Sequence, residues 1–138
     1  MLARSADELP VGRTWTYEVK WDGYRTLAVK DRGRVMLLSR NHKHLTRDYP
    51  SVGAALLTLS APSFVLDGEI VALDSAGRPS FQALQHRATK GLTLVYVAFD
   101  ALTIGSESLL REPLSVRRAR LRGVLADASP TLSASNAT

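Results

Sequence analysis

Trp15, Tyr17 and Val19 alternate with Thr16, Glu18 and Lys20, so an extended segment here carries three apolar side chains on one face and three polar ones on the other. Leu27 and Val29 repeat the alternation after Asp22-Gly23. Asp-Gly between two such runs predicts a hairpin over residues 14–31, because glycine accepts positive φ without steric cost. Arg32-Gly33 turns the chain into a third strand, Arg34 to Ser39. Strands joined by turns this short must be antiparallel, since a parallel neighbour needs a long crossover. Ser39 to Pro50 is a polar loop, and Pro50 suits the first turn of a helix whose apolar stripe is Val52, Ala55, Leu56 and Leu59.

Phe64 to Leu73 is strongly strand-forming. Asp74 to Gly77 is a turn, and Ser80 caps a short helix that follows. A basic loop, Arg87 to Gly91, leads to a buried strand from Leu92 to Leu102, in which Leu94 and Tyr96 alternate with Val95 and Val97. Pro113-Leu114-Ser115 opens a last helix to about Ala126, with Val116, Leu121, Val124 and Leu125 for packing and Arg117, Arg118, Arg120 and Arg122 on the wet side. Pro10 and Gly12 break any regular element in the lead-in, and the Ser/Thr/Ala/Pro/Asn composition from Ser129 predicts a disordered tail. The expected organisation is one α+β unit over residues 1–126, antiparallel sheets with flanking helices, and a tail over 127–138.

Composition narrows the classes of function. Hydrophobic residues make up 45% and charged residues 22%, which is ordinary for a globular chain. No apolar run approaches membrane-spanning length and the first ten residues lack a signal peptide's apolar region, so a cytoplasmic location is expected. The absence of cysteine excludes disulfides, thiolate catalysis and cysteine-bound zinc, and His42, His44 and His86 show no zinc-ligand spacing. A net charge of +5, built from 14 Arg and 4 Lys against 13 acidic residues, suits a polyanionic partner such as nucleic acid.

The candidate chemistry lies around Lys20. A free lysine, with a pKa of about 10.4, is neutral in only roughly one molecule in 2,500 at pH 7. A nucleophilic lysine therefore needs cationic neighbours or desolvation. Arg25 supplies a cation just beyond the turn, and its planar fork matches phosphate oxygens. Asp67 and Glu69 stand two apart in an otherwise apolar strand, hence on one face, where charge is costly unless paired or functional. Phe99, from the residues alone, is a candidate core ring.

Lys20-x-Asp22-Gly23-x-Arg25 resembles the nucleotidyl-transfer motif of ATP-dependent DNA ligases, RNA ligases and mRNA capping enzymes. Ser39-Arg40-Asn41 is similar to the ligases' Ser-Arg-(Asn/Asp)-Gly stretch, with His42 where glycine is usual. Asp67-Gly68-Glu69, Phe81-Gln82-Ala83-Leu84-Gln85, Phe99-Asp100-Ala101-Leu102 and Pro113-Leu114-x-x-Arg117-Arg118-x-x-Leu121 follow in family order. The chain thus looks like part of a ligase adenylation domain, most like the ligase component of bacterial non-homologous end-joining proteins. The fold this implies is a partial ATP-grasp-like nucleotidyltransferase domain.

By that resemblance Lys20 takes AMP from ATP and passes it to a DNA 5′-phosphate at a nick or break in duplex DNA. Glu18 then contacts the adenine amino group, Glu69 the ribose, Arg25 and Arg40 phosphates, and Phe99 the base. Mg2+ or Mn2+ offsets phosphate charge, with Asp67 or Glu69 as candidate ligands and the choice between them open. The implied partners are DNA, end-joining proteins or a chain carrying later motifs, and the implied setting is the bacterial cytoplasm at the nucleoid. The family's later Glu-Gly and Lys-x-Lys motifs and its oligonucleotide-binding barrel do not follow, the last lysine being Lys90. The expectation is a truncated chain that keeps the nucleophile but does not seal nicks alone, with an exposed sheet edge. A non-catalytic nucleotide- or DNA-binding remnant and an RNA ligase or capping-type enzyme stay open as alternatives.

Overall fold

The computed structural model describes residues 4–86 and 92–136. The basic loop expected at 87–91 lies outside the described residues. One sheet organises the chain, in the order β2-β1-β3-β4-β5, from β1 (Tyr24–Asp31), β2 (Arg34–Ser39), β3 (Phe64–Leu73), β4 (Thr93–Ile104) and β5 (Glu107–Ser108), all antiparallel. A sixth strand, β6 (Leu132–Ala134), lies parallel to β4, so the sheet is mixed. Helices α1 (Pro50–Leu57), α2 (Phe81–Gln85) and α3 (Leu114–Val124) flank it.

Turn chemistry accounts for much of this. Arg32 (φ 48°) and Gly33 (φ 74°) are both left-handed, the conformation that joins β1 to β2 with the right twist. Pro50 stands in the first turn of α1, and the Ser80 hydroxyl caps α2 by accepting from the Ala83 N–H. The core lies on one face of the sheet, where Ala28, Leu66, Ile70, Tyr96 and Ala98 meet Val52, Ala55 and Leu56 of α1.

Five expectations are corrected. Trp15 to Lys20 does not pair as a hairpin strand with β1; the segment is exposed, Trp15 retaining 55% and Val19 61% of their accessible surface. Gly23 is not among the left-handed glycines. A Cβ there would stand 2.0 Å from the Ile70 carbonyl oxygen, so glycine serves close approach to β3 instead of a reversal. On β1 the core face is Thr26, Ala28 and Lys30, whereas Leu27 and Val29 are half-buried on the opposite face.

The last two corrections concern the C-terminal region. Arg117 and Arg118 of α3 are half-buried and ion-paired, not on the wet side, while Val116 is exposed. Residues 132–134 form β6 with Leu132 buried, where a disordered tail was expected.

Lys30 shows how a charge enters a core face. Its Nζ donates to the Leu57 and Leu59 carbonyls, at 3.1 and 2.6 Å, closing the carbonyl end of α1 with a positive charge. Lys30→Met keeps most of the volume but orphans those carbonyls. It is expected to cost about 2 to 3 kcal/mol in urea unfolding, the range for charge-assisted bonds.

Candidate active site

β1 and β3 run antiparallel with Arg25 opposite Glu69 and Leu27 opposite Asp67, so Arg25, Asp67 and Glu69 share the face away from α1. β4 adds Phe99 through an irregularity. Gly68 pairs with Ala98 and Asp67 with Asp100, leaving Phe99 as the extra residue of a bulge. Two consecutive side chains, Phe99 and Asp100, therefore project on one side between the core positions Ala98 and Ala101.

The bulge brings two carboxylates, Asp67 and Asp100, directly opposite one another, an arrangement that repels. Each is neutralised by its own arginine. Arg25 holds Asp67 through Nε and Nη2, both at 2.7 Å, and Arg117 of α3 holds Asp100 at 2.8 and 3.0 Å. These hydrogen bonds raise the pKa of both guanidinium groups. The Arg25 guanidinium also lies over the Phe99 ring, 5.1 Å from its centroid, a cation–π contact.

Around this platform lies an open cleft of about 1040 Å³. Its walls come from residues 18–25 before and at the start of β1, the loop after β2, and Glu69 and Phe99. Glu18, Lys20, Arg25, Arg40, Glu69 and Phe99 all line it; Asp67 does not, sitting behind Arg25. The Gly23 N–H donates to Glu69 Oε1 at 2.8 Å and ties the Lys20 segment to β3. Burial pushes the Glu69 carboxyl above the ordinary range, with the Gly23 N–H, the Arg25 charge and, more weakly, Lys20 pulling it back. Lys20 and Glu69 therefore face each other electrostatically across the cleft. Trp21 packs on Val71, Val95 and Val97, fixing the residue that follows Lys20.

Arg40 reaches the cleft from a closed turn. The Ser39 N–H donates to the Lys43 carbonyl at 2.9 Å, the His42 N–H to the Ser39 carbonyl at 3.0 Å, and the Lys43 N–H to the Ser39 hydroxyl at 3.0 Å. His42 sits at φ 58°, so the position where the resemblance places glycine does require a left-handed residue. His42→Gly is expected to relieve that strain. A gain of about 0.5 to 1 kcal/mol, net of the greater entropy of an unfolded glycine, would appear as a rise in Tm of a few degrees.

Two of the expected residues carry partners that the sequence did not mark. Arg25 spends its fork on Asp67, leaving Lys20, Arg40 and Lys43 as the lining cations whose side chains carry no ion pair among the described residues. Glu18 faces the cleft with its carboxylate already paired to Arg118 of α3 and accepting from the Ser135 hydroxyl at 3.4 Å. Arg118 and Ser135 lie 100 and 117 residues away in sequence, and no local pattern marks them.

A resident metal does not fit. Asp67 has both oxygens on Arg25, Glu69 gives one oxygen to Gly23, and no group of three His, Asp or Glu able to hold an ion occurs among the described residues. A divalent ion here would have to arrive on a ligand's own oxygens.

Comparison with known proteins gives a consistent result. A family model described as ATP dependent DNA ligase domain matches residues 1–138. DNA ligase C2 of Mycolicibacterium smegmatis is 38% identical over 148 residues, covering 100% of this chain and 41% of the relative. The multifunctional non-homologous end joining protein LigD of the same organism is 42% identical over 115 residues, covering 83% of this chain and 15% of the relative. The solved ligase domain of M. tuberculosis LigD superposes with a TM-score of 0.75 at 35% identity, over 88% of this chain and 40% of that one. A mycobacterial DNA ligase D complexed with ATP and MES gives 0.73 at 33% identity, over 88% and 39%. The chain thus spans well under half the length of these relatives.

Proposed function

Because the chain belongs to the family of ATP-dependent DNA ligase domains, we propose that it forms a lysyl-AMP at Lys20 and supplies that adenylate for sealing breaks in duplex DNA. What carries this reading is the single cleft that gathers Lys20, Glu69, Arg40 and Phe99 from four separate stretches of sequence.

In the step proposed, the neutral Lys20 amine attacks the α-phosphorus of ATP. A P–N bond forms, the P–O bond to pyrophosphate breaks, and the amine loses a proton to solvent. Arg40 and Lys43, on the tight turn after β2, are the cations placed to hold the triphosphate. Glu69, anchored by Gly23, is the acceptor for a ribose hydroxyl. Phe99 offers the base one face while Arg25 covers the other, so Arg25 fixes the stacking platform in place of a phosphate. Magnesium enters with the nucleotide as part of the substrate.

The adenylate then passes to a DNA 5′-phosphate, from which a neighbouring 3′-hydroxyl displaces AMP. The net charge of +5 favours such a polyanion. A chain carrying further motifs or other end-joining proteins, in the bacterial cytoplasm at the nucleoid, would complete the sealing.

The test compares labels. With magnesium, α-labelled ATP should leave a covalent adduct that is stable to denaturation and cleaved by acid, while γ-labelled ATP should leave none. Equal labelling by both, or by neither, would refute nucleotidyl transfer.

A further inference from the structure

The Glu18 carboxylate lines the cleft two residues before the nucleophile, on a segment whose side chains stand in solvent from Arg13 to Lys20. Two groups that are not part of the cleft lining grip that carboxylate from behind. One is the Arg118 guanidinium, a side chain only 14% exposed on α3; the other is the Ser135 hydroxyl, just after β6. The Ser135 N–H is itself bonded to the Ala98 carbonyl at 2.7 Å, next to Phe99 on β4. The chain therefore connects the base platform, β6, α3 and Glu18 in one run of contacts.

Arg118 is an unusual investment for a surface-type residue. Its Nε is buried with no hydrogen-bond partner, and burial together with Arg122 lowers its pKa. A guanidinium held in that setting needs a carboxylate opposite, and the carboxylate it has is Glu18.

We infer that Arg118, assisted by Ser135, is a positioning residue for nucleobase selection: it holds Glu18 oriented so that its remaining lone pairs accept from the exocyclic amine of adenine. The inference rests on the cleft being the ATP site. A carboxylate has about four acceptor positions, so one contact to Arg118 and one to Ser135 leave room for a base amino group. Guanine presents an acceptor oxygen at the corresponding place, and two acceptors facing each other without a proton are disfavoured. Arg118 touches no nucleotide in this arrangement; it acts through Glu18.

The experiment is calorimetric titration of the 138-residue chain with ATP and with GTP, using Arg118→Gln, Glu18→Gln and the double variant. Arg118→Gln should weaken ATP binding about tenfold, the effect of roughly one oriented hydrogen bond to a charged group, and leave GTP unchanged. Glu18→Gln should do the same, and the double variant should be no worse than Glu18→Gln alone, since both substitutions remove one interaction. Arg118→Lys should restore most of the preference, and carries the test if melting curves show that Arg118→Gln has lost its fold.

Equal weakening of ATP and GTP, or multiplied losses in the double variant, would overturn the inference, leaving Arg118 a structural anchor. Wild-type chain that binds neither nucleotide would overturn the ATP-site reading along with it. A wild type that prefers ATP while Arg118→Gln keeps that preference overturns the positioning role alone.

Discussion

Lys20→Arg is expected to abolish the covalent adduct with ATP while leaving the melting temperature within a degree or two of wild type. Both side chains are long, cationic and exposed on the same segment, so packing hardly changes. The chemistry changes greatly. The free side chains differ by about three units in pKa, so neutral guanidine is roughly three orders of magnitude scarcer at pH 7 than neutral amine. Delocalisation and a displaced nitrogen lower attack further. Loss of an essential nucleophile elsewhere costs on the order of 10⁶ in rate, so adduct formation should fall by at least about 10⁴ and vanish from a labelling gel. ATP binding should persist, since Glu69, Arg40 and Phe99 still line the cleft. An adduct of undiminished intensity in Lys20→Arg would place the nucleophile elsewhere.

Gly68→Ala should act in the opposite way, through the fold. Gly68 is in the middle of β3 between Asp67 and Glu69, where a glycine ordinarily weakens a strand. A Cβ at this position would come 2.5 Å from the Val97 carbonyl oxygen, 2.6 Å from Tyr96 Cζ and 2.8 Å from its hydroxyl. Tyr96 cannot swing aside: it is fully buried, and its hydroxyl is shared between the Thr26 and Leu66 carbonyls at 3.0 and 3.2 Å. The same burial raises its phenol pKa well above the ordinary value, so the hydroxyl keeps its proton and remains a donor. One methyl group must therefore force apart β1, β3 and β4. Overpacking typically costs about 1 to 3 kcal/mol, and a clash with backbone and a pinned ring puts this site at the upper end, a large part of the 5 to 15 kcal/mol that holds a typical domain. Circular dichroism should show a chain mostly unfolded, or with Tm lowered by 10 °C or more. A variant melting near wild type would mean that Tyr96 is far less constrained than this geometry requires.

What was legible in the sequence depended on how local each cause was. β2 and β3 begin and end at the residues that turn signals and β-propensity mark, and Arg32-Gly33, Pro50 and Ser80 do what their chemistry predicts. The cleft's cast was also legible: all six residues expected around the nucleotide line it. Errors arose where a distant partner decided. Trp15 to Lys20 alternates like a strand, but a strand needs a neighbour, and β1 already lies between β2 and β3. Nothing near Lys30 in sequence marks the α1 carbonyls that its amine reaches. The arginines of α3 and the small residues around Ser135 look generic until β4 and Glu18 come within reach.

The two register shifts between β3 and β4 place core residues at Leu94, Tyr96 and Ala98, then at Ala101, then at Ile104, so the step along β4 changes from two to three twice. Without Phe99, the residues Ala98, Asp100 and Ala101 would alternate regularly opposite Gly68, Asp67 and Leu66, so the extra position shifts no later side chain to another face. The bulge thus inserts one ring, Phe99, into the wall of the cleft while the strand on either side keeps its pairing with β3.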